Sequence, residues 1–555
     1  MLNKKSKTKY IFVVGGVMSS VGKGVAAASI GKILQSKGYR VANIKCDMYV
    51  NVDAGTIRPA EHGEVFVGED GIEADQDLGN YERFTDQICT IDNYMTWGSV
   101  NLSVIEKERN LGYHGEDVEV VPDIPEEIIR RIKYCGKKNK ADIVVTEFGG
   151  TIGEYQIMLF LEAARMMRTR DPENISIIMV GYLPTPGLLG EQKSKPTQHA
   201  VRTLNSAGIT PDFILCRANQ PIKNSVKETI STVCSLPRGR IISAPDVDSI
   251  YDIPLNLERE NFGNILLSTL GLRQEKVGIH DWQKLALKRN RLKKFINIGI
   301  VGKYFNSKSM LDAYISVIES LKFASWGNNV QVEIKWLDAE VYEKDKKKLK
   351  ELDDLEGILI PGGFGSRGTE GKILAAKYSR DHKIPYLGLC LGMQIMVIEF
   401  ARNVLKLRTA NSEEFVDNLK HPIIHIMEDQ RKLLEQNQYG ASMRLGSYSC
   451  QLVKGTKAYN AYLKAGWVKE KGVSNISERH RHRFEVNNEY RIRLEKAGLK
   501  VSGTYPNKDL VEIVEVENHP FMVGVQFHPE FKSRPLKPHP LFYEFIKAAV
   551  KTSKK

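Results

Sequence analysis

In the stretch "KIPYLGLCLGMQIM", Cys390 stands between Gly388 and Gly392, after an apolar run and before a helical pattern. A nucleophile on a strand-to-helix turn needs small neighbours, because the chain folds closely on itself there. The N-terminus of the following helix favours a thiolate. A lone cysteine in such a run is more often a core residue, so the chemistry needs further groups. "VGVQFHPEF" (523–531) supplies two of them. His528 and Glu530, two residues apart, lie on one side of an extended chain, offering a base for the thiol proton and a carboxylate to orient the imidazole. "PGGFGSRG" (361–368) adds glycine N–H groups suited to a carbonyl oxygen that becomes an oxyanion.

A second constellation lies near the start, in "VVGGVMSSVGKG" (13–24). It nearly fits the phosphate-binding pattern G-x-x-x-x-G-K-[ST], in which backbone N–H groups and a lysine hold phosphates and a hydroxyl meets magnesium. Val17 stands at the first glycine position and Gly24 where the hydroxyl belongs. If the loop binds a nucleotide, another group must hold the metal. In "ERHRHRFEVN" (478–487), His480 and His482 have no cysteine nearby and no helical i, i+4 spacing, so a solvated basic loop is the better reading than a metal site.

The elements that position these residues are alternating apolar runs and helical patterns. "YIFVV" (10–14) precedes the glycine-rich turn, and "AAASIGKILQSKG" (26–38) carries Ile30, Ile33 and Leu34 at helical spacing. "YRVANIK" (39–45), "DIVVTEF" (142–148), "ISIIMVGYL" (175–183), "DFILC" (212–216) and "RIISA" (240–244) follow. Strand then helix, repeated, predicts a parallel sheet with helices on both faces, with ligands at the carboxyl ends of the strands. Residues 272–295 read as a basic, helical interdomain linker. From Phe295 the alternation restarts with "FINIGIVGKY", "MLDAYISVIESLKFASW", "VQVEIKWL" and "LEGILIPGG". In the tail, Leu541, Phe545 and Ala549 share one helix face, a packing pattern. The expected architecture is α/β in two domains, residues 1–271 and 296–555, each a mainly parallel sheet with helices on both faces.

Composition sets outer bounds. The 555 residues exceed one ordinary core, and 42% hydrophobic with 26% charged residues describes a globular protein. The formal charge of +13 suits polyanionic partners such as phosphorylated metabolites, yet no nucleic-acid-binding module accompanies it. Seven scattered cysteines without a C-x-x-C argue for a reducing compartment and against disulfides or zinc. No run approaches the length of about 18 apolar residues that a membrane helix needs. A cytoplasmic location without membrane or nucleic-acid partners is expected.

The Cys390, His528–Glu530 and 361–368 stretches together resemble class I glutamine amidotransferases. The resemblance implies that Cys390 attacks the glutamine side-chain amide, that His528 shuttles protons and that Glu530 orients it. It also implies that Gly363, Leu391, Gly392, Met393, Gln394, Glu414 and Arg483 hold glutamine. The first half resembles the CTP synthase family in "GGVMSSVGKG", "NVDAGTIRPAEHGEVFV" (51–67), "DLGNYERF" (77–84), "TEFGGTIGE" (146–154), "KSKPTQHAV" (193–201) and "DVDSIY" (246–251). That implies a P-loop-like N-terminal amidoligase domain that uses ATP to activate the 4-oxygen of UTP and accepts ammonia there, giving CTP, the last step of pyrimidine nucleotide synthesis.

By the same resemblance, Ser20, Val21, Gly22, Lys23, Gly24 and Val25 form the ATP-phosphate loop, joined by Lys45 and Asp77, with Pro245, Asp246 and Val247 at the adenine. Asp77 and Glu147 hold Mg2+, for which hard oxygen ligands are suited. Ser19, Glu154, Tyr155, Gln156, Lys193, Ser194, Lys195, Pro196, Thr197, Gln198 and Thr229 match the segments for UTP, or for CTP as inhibitor. GTP is implied as an allosteric activator near Arg367 and Gly368, and a homotetramer built from dimers, with filaments, as the assembly. Two departures stand out. Thr229 replaces a usual lysine, with Lys227 two residues earlier, and Tyr155-Gln156 replaces a second acidic residue after Glu154. Another ATP-dependent amidotransferase, and a filament-forming regulatory protein without turnover, are the competing readings.

Overall fold

A computed structural model describes residues 7–16, 18–187, 190–274, 276, 278–303, 312–436, 440, 442–472 and 474–553. The apolar runs of the first half become strands without alternation, and Val41–Asp47 is buried along its whole length, as strands covered on both faces must be. Seven strands form one parallel sheet, in the order Tyr94–Thr96, Val41–Asp47, Ile143–Phe148, Lys9–Gly15, Ile175–Tyr182, Phe213–Ala218, Ile241–Pro245. Lys9–Gly15 lies at its centre, so the glycine-rich turn leaves the middle of the carboxyl edge. The helix Lys23–Ser36 then packs Ile30, Ile33 and Leu34, all fully buried.

The chain divides into two compact units, Met1–Ala54 with Asp77–Leu287, and Gly55–Gln76 with Lys288–Lys555. Helix His280–Asn290 begins in the basic segment of the first unit, where its Trp282 packs against Phe84 and Tyr251 at centroid distances of 5.0 and 5.5 Å. The second unit contains a nine-stranded sheet ordered Gln331–Asp338, Phe295–Gly302, Gly357–Ile360, Tyr386–Leu389, Met522–Val525, Leu510–Val516, Leu499–Tyr505, Arg444–Leu452, Asn475–His482. Its first five strands are parallel and the rest antiparallel. The helix pattern read at 310–326 is Ile315–Gly327; the part of that pattern at 310 and 311 lies outside the described residues. The tail is the helix Pro540–Thr552, with Leu541, Phe545 and Ala549 fully buried.

Residues 55–76 pack with the second unit although both flanking segments belong to the first. Phe66 meets Phe531 edge-on at 5.1 Å. The fully buried Arg479 donates from Nε to Glu69 at 3.1 Å and from Nη1 to the Val67 carbonyl at 3.0 Å. Arg481 donates to Glu73 at 2.8 Å.

Candidate active sites

In the first unit the chain turns sharply after the central strand. Ser20 (φ 55°) and Gly22 (φ 89°) adopt left-handed conformations, the second at the cap of Lys23–Ser36. Ser19 and Ser20 are exposed beside it; Val17 is outside the described residues. A Cβ on Gly24 would fall 1.8 Å from Asp77 Oδ1. The space where the phosphate-loop pattern has a hydroxyl is thus filled by the Asp77 carboxylate, which reaches in from helix Asp77–Thr85.

Lys45 Nζ donates to Asp77 Oδ2 at 2.5 Å and to Glu147 Oε1 at 3.0 Å, and lies 3.7 Å from Asp47. Tyr81 donates its hydroxyl to Glu147 and Asn80 donates to Asp77 at 3.2 Å. Burial pushes the Glu147 carboxyl above its ordinary range, aided by Asp77 and opposed by Lys45. Burial pushes Lys23 down, against the attraction of Glu147. Asp77 and Glu147 thus meet at the Lys45 ammonium, and their carboxylate oxygens are hard donors of the kind that magnesium takes.

Pro245, Asp246 and Val247 join Gly22 and Val25 around a cavity of about 200 Å³. Arg217 ties them together, donating to Asp246 at 2.5 Å and to the Val21 carbonyl at 3.4 Å. No sequence motif pointed to Arg217, the penultimate residue of the strand Phe213–Ala218. Among the UTP candidates, Glu154 accepts from the Thr151 hydroxyl at 2.6 Å, while Tyr155 and Gln156 are exposed. Lys193 pairs with Glu191 at 2.5 Å. Lys195 and Pro196 open the helix Lys195–Ser206; Thr197 donates to the Tyr182 carbonyl at 2.9 Å and Gln198 to Ser194 Oγ at 2.9 Å. Thr229 lies exposed on helix Asn224–Cys234, its hydroxyl donating to the Ser225 carbonyl at 2.9 Å, while Lys227 pairs with Glu260 at 2.7 Å.

In the second unit Cys390 caps the helix Leu391–Asn403 with φ 50° and ψ −102°. Such a backbone disfavours every side chain but is held here by close packing: a Cβ on Gly392 would come within 2.1 Å of the Ile360 carbonyl, and one on Gly388 within 2.6 Å of Gly392. His528 Nδ1 lies 2.7 Å from Glu530 Oε1. The reason differs from the one the sequence suggested. The strand ends at Val525, and Pro529–Lys532 is a 3-10 turn, so the pair meets across a turn rather than along an extended chain; Pro529 fixes the φ that tips the chain into it.

Burial disfavours a charged His528, but Glu530 and the nearby Cys390 sulfur outweigh it and push the imidazole up to about 10. Its Nε2 is buried without a hydrogen-bonded partner. A Cβ on Gly362 would meet His528 Cε1 at 2.8 Å and Cys390 Cβ at 3.7 Å, so this glycine keeps open the space beside the sulfur. Cys390, His528, Glu530, Gly362 and Gly363 line a cavity of about 590 Å³ together with Arg58, Glu64, Lys303, Tyr314, Arg367 and Arg481. Arg58 and Glu64 stand in the stretch 51–67, but a place beside the nucleophile was not legible for them because Cys390 lies over 300 positions further along the chain.

Glu414 and Arg483 do not line that cavity. Glu414 accepts from the Gly365 N–H at 2.7 Å and Arg483 donates to Gln430 at 3.0 Å. Leu391 and Met393 are buried in the core under the helix start. The segment read as a solvated basic loop is instead the buried strand Asn475–His482 followed by Phe484–Val486. His480 and His482 lie 2.9 Å apart, Nδ1 to Nε2, and burial holds both well below the ordinary imidazole range.

A family model described as CTP synthase N-terminus matches residues 9–272, and one described as Glutamine amidotransferase class-I matches residues 309–548. A "CTP synthase" of Carboxydothermus hydrogenoformans is 48% identical, covering 99% of both chains. A "CTP synthase" of Clostridium kluyveri is 46% identical over 99% of both chains. A solved Trypanosoma brucei CTPS glutaminase domain with bound acivicin is 37% identical, with a TM-score of 0.41, covering 46% of this chain and 94% of that one. Among the described residues, no helix is long and apolar enough to cross a membrane.

Proposed function

This chain belongs to the CTP synthase family, a ligase with glutaminase activity, and from that premise we propose how its residues divide the reaction. Residues 296–555 release ammonia from L-glutamine, residues 1–271 aminate UTP at the expense of ATP, and 272–295 join them. The observation that carries the first half of this reading is Cys390 on a left-handed turn beside His528, itself held by Glu530.

Cys390 adds to the carboxamide carbon as a thiolate, its proton already held on His528 Nε2, and backbone N–H groups of the Gly362–Gly363 turn face the developing oxyanion. His528 returns the proton to the amide nitrogen, which leaves as ammonia; water then cleaves the thioester to glutamate. The Glu530 carboxyl at Nδ1 favours the imidazolium that holds this proton.

In the first unit, the UTP 4-oxygen takes the γ-phosphoryl group of ATP, and ADP leaves. Ammonia adds at C4, phosphate departs with the original oxygen, and loss of a proton gives CTP. Lys23 and Lys45 neutralise phosphate charge, Gly22 lets the backbone approach, Gly24 leaves room for the Asp77 carboxylate, and Arg217 orders the Asp246 segment at the adenine. Magnesium, held by Asp77 and Glu147, would supply charge neutralisation on the triphosphates. Feedback inhibition by CTP through Glu154 and Lys193–Gln198, activation by GTP near Arg367, and a homotetrameric assembly complete the reading.

The test supplies UTP, ATP and magnesium with either glutamine or ammonium and measures CTP. Activity with both is expected. A nucleotide other than UTP that is aminated faster would overturn the substrate assignment.

A further inference from the structure

Gln526 is fully buried just past the strand Met522–Val525, and one end of its amide lies 3.6 Å from Cys390 Sγ. Its neighbours decide which end. The Phe484 carbonyl can only accept, and it lies 3.1 Å from a terminal atom of the buried Gln394 side chain, which is therefore Nε2. The same Nε2 lies 3.3 Å from the second terminal atom of Gln526, which must then be oxygen. The atom of Gln526 facing sulfur is consequently Nε2, with an N–H to give.

The anchor is itself fixed. His482 Nδ1 lies 3.2 Å from the same Phe484 carbonyl and so carries a proton. Neutral His482 then accepts at Nε2 from His480 Nδ1, 2.9 Å away. The Gln526 backbone N–H donates to the Glu512 carbonyl at 2.9 Å, so main chain and side chain are both held.

We propose that Gln526 is a catalytic residue of the glutaminase half-reaction, donating its side-chain N–H to the Cys390 sulfur and stabilising the thiolate, with Gln394 as the positioning residue that keeps the amide from turning over. A donor aimed at sulfur favours the charged form; an acceptor there would oppose it. The other groups facing the sulfur are His528, backed by Glu530, and the Arg481 carbonyl at 3.9 Å. The proposal rests on Cys390 being the nucleophile.

The experiment follows Cys390 alkylation by iodoacetamide against pH, alongside glutaminase kcat/KM, in the full-length wild type, Gln526→Leu and Gln526→Met. Thermal unfolding checks the fold. Both variants lack the donor, and the second keeps an unbranched side chain of similar length should the first fail to fold. The expected result is a midpoint about one pH unit higher and kcat/KM at pH 7 about tenfold lower. An unchanged alkylation profile in a folded variant overturns the role of Gln526. Glutaminase activity that survives in Cys390→Ala overturns instead the thiol mechanism beneath it.

Discussion

Gly24 shows how one missing side chain redefines a motif. As a phosphate loop, "VGKG" lacks its hydroxyl; in the folded chain that volume belongs to the Asp77 carboxylate, 1.8 Å from where a Cβ would stand. Gly24→Ala is expected to displace Asp77 and lower ammonium-dependent CTP formation about a hundredfold, with glutaminase activity retained; equal rates for mutant and wild type would refute this. The His528–Glu530 pair sets a pH dependence. His528 is raised from 6.5 to about 10, so its contribution to stability is full below about 6.5 and is lost as pH rises towards about 10. Unfolding by guanidinium at pH 6 and pH 9.5 should show that loss in the wild type, and a smaller loss in Glu530→Gln.

At the scale of elements, the turn at Cys390 depends on helix Leu391–Asn403 lying almost against the strand Gly357–Ile360. Gly392→Ala would place a Cβ 2.1 Å from the Ile360 carbonyl, an overpacking expected to cost about 1–3 kcal/mol. A lower unfolding midpoint together with slower glutamine hydrolysis checks it. The parallel strands were readable because burial on both faces leaves continuous apolar runs such as "DIVVT". The antiparallel half of the second sheet was not, since its strands carry charges that are satisfied only across the fold. Arg444 donates to Glu485 at 3.0 Å and to Glu512 at 2.6 Å, all three buried. Burial pushes both carboxyl groups above their ordinary range, against Arg444. In sequence, "ERHRHRFE" has the composition of a solvated loop; only its partners make it a core strand.

For the whole molecule, the two constellations predict separable activities. Cys390→Ala should abolish glutamine-dependent CTP formation and spare the ammonium-dependent reaction. Asp77→Ala should abolish CTP formation from either nitrogen source and spare glutamine hydrolysis. Loss of ammonium-dependent synthesis in Cys390→Ala would mean that the cysteine serves the synthetase or the fold instead.

The sequence by itself determined the chemistry-bearing residue types, their order along the chain, the α/β architecture and the family resemblance, because glycine-flanked turns and apolar runs are local patterns. Tertiary structure alone decided that residues 55–76 bring Arg58 and Glu64 to the Cys390 cavity, that Arg217 ties the phosphate loop to Asp246, and that the Gln526 amide faces sulfur with its nitrogen. Each is a contact between residues distant in sequence, and its direction follows from which partner can donate and which can only accept.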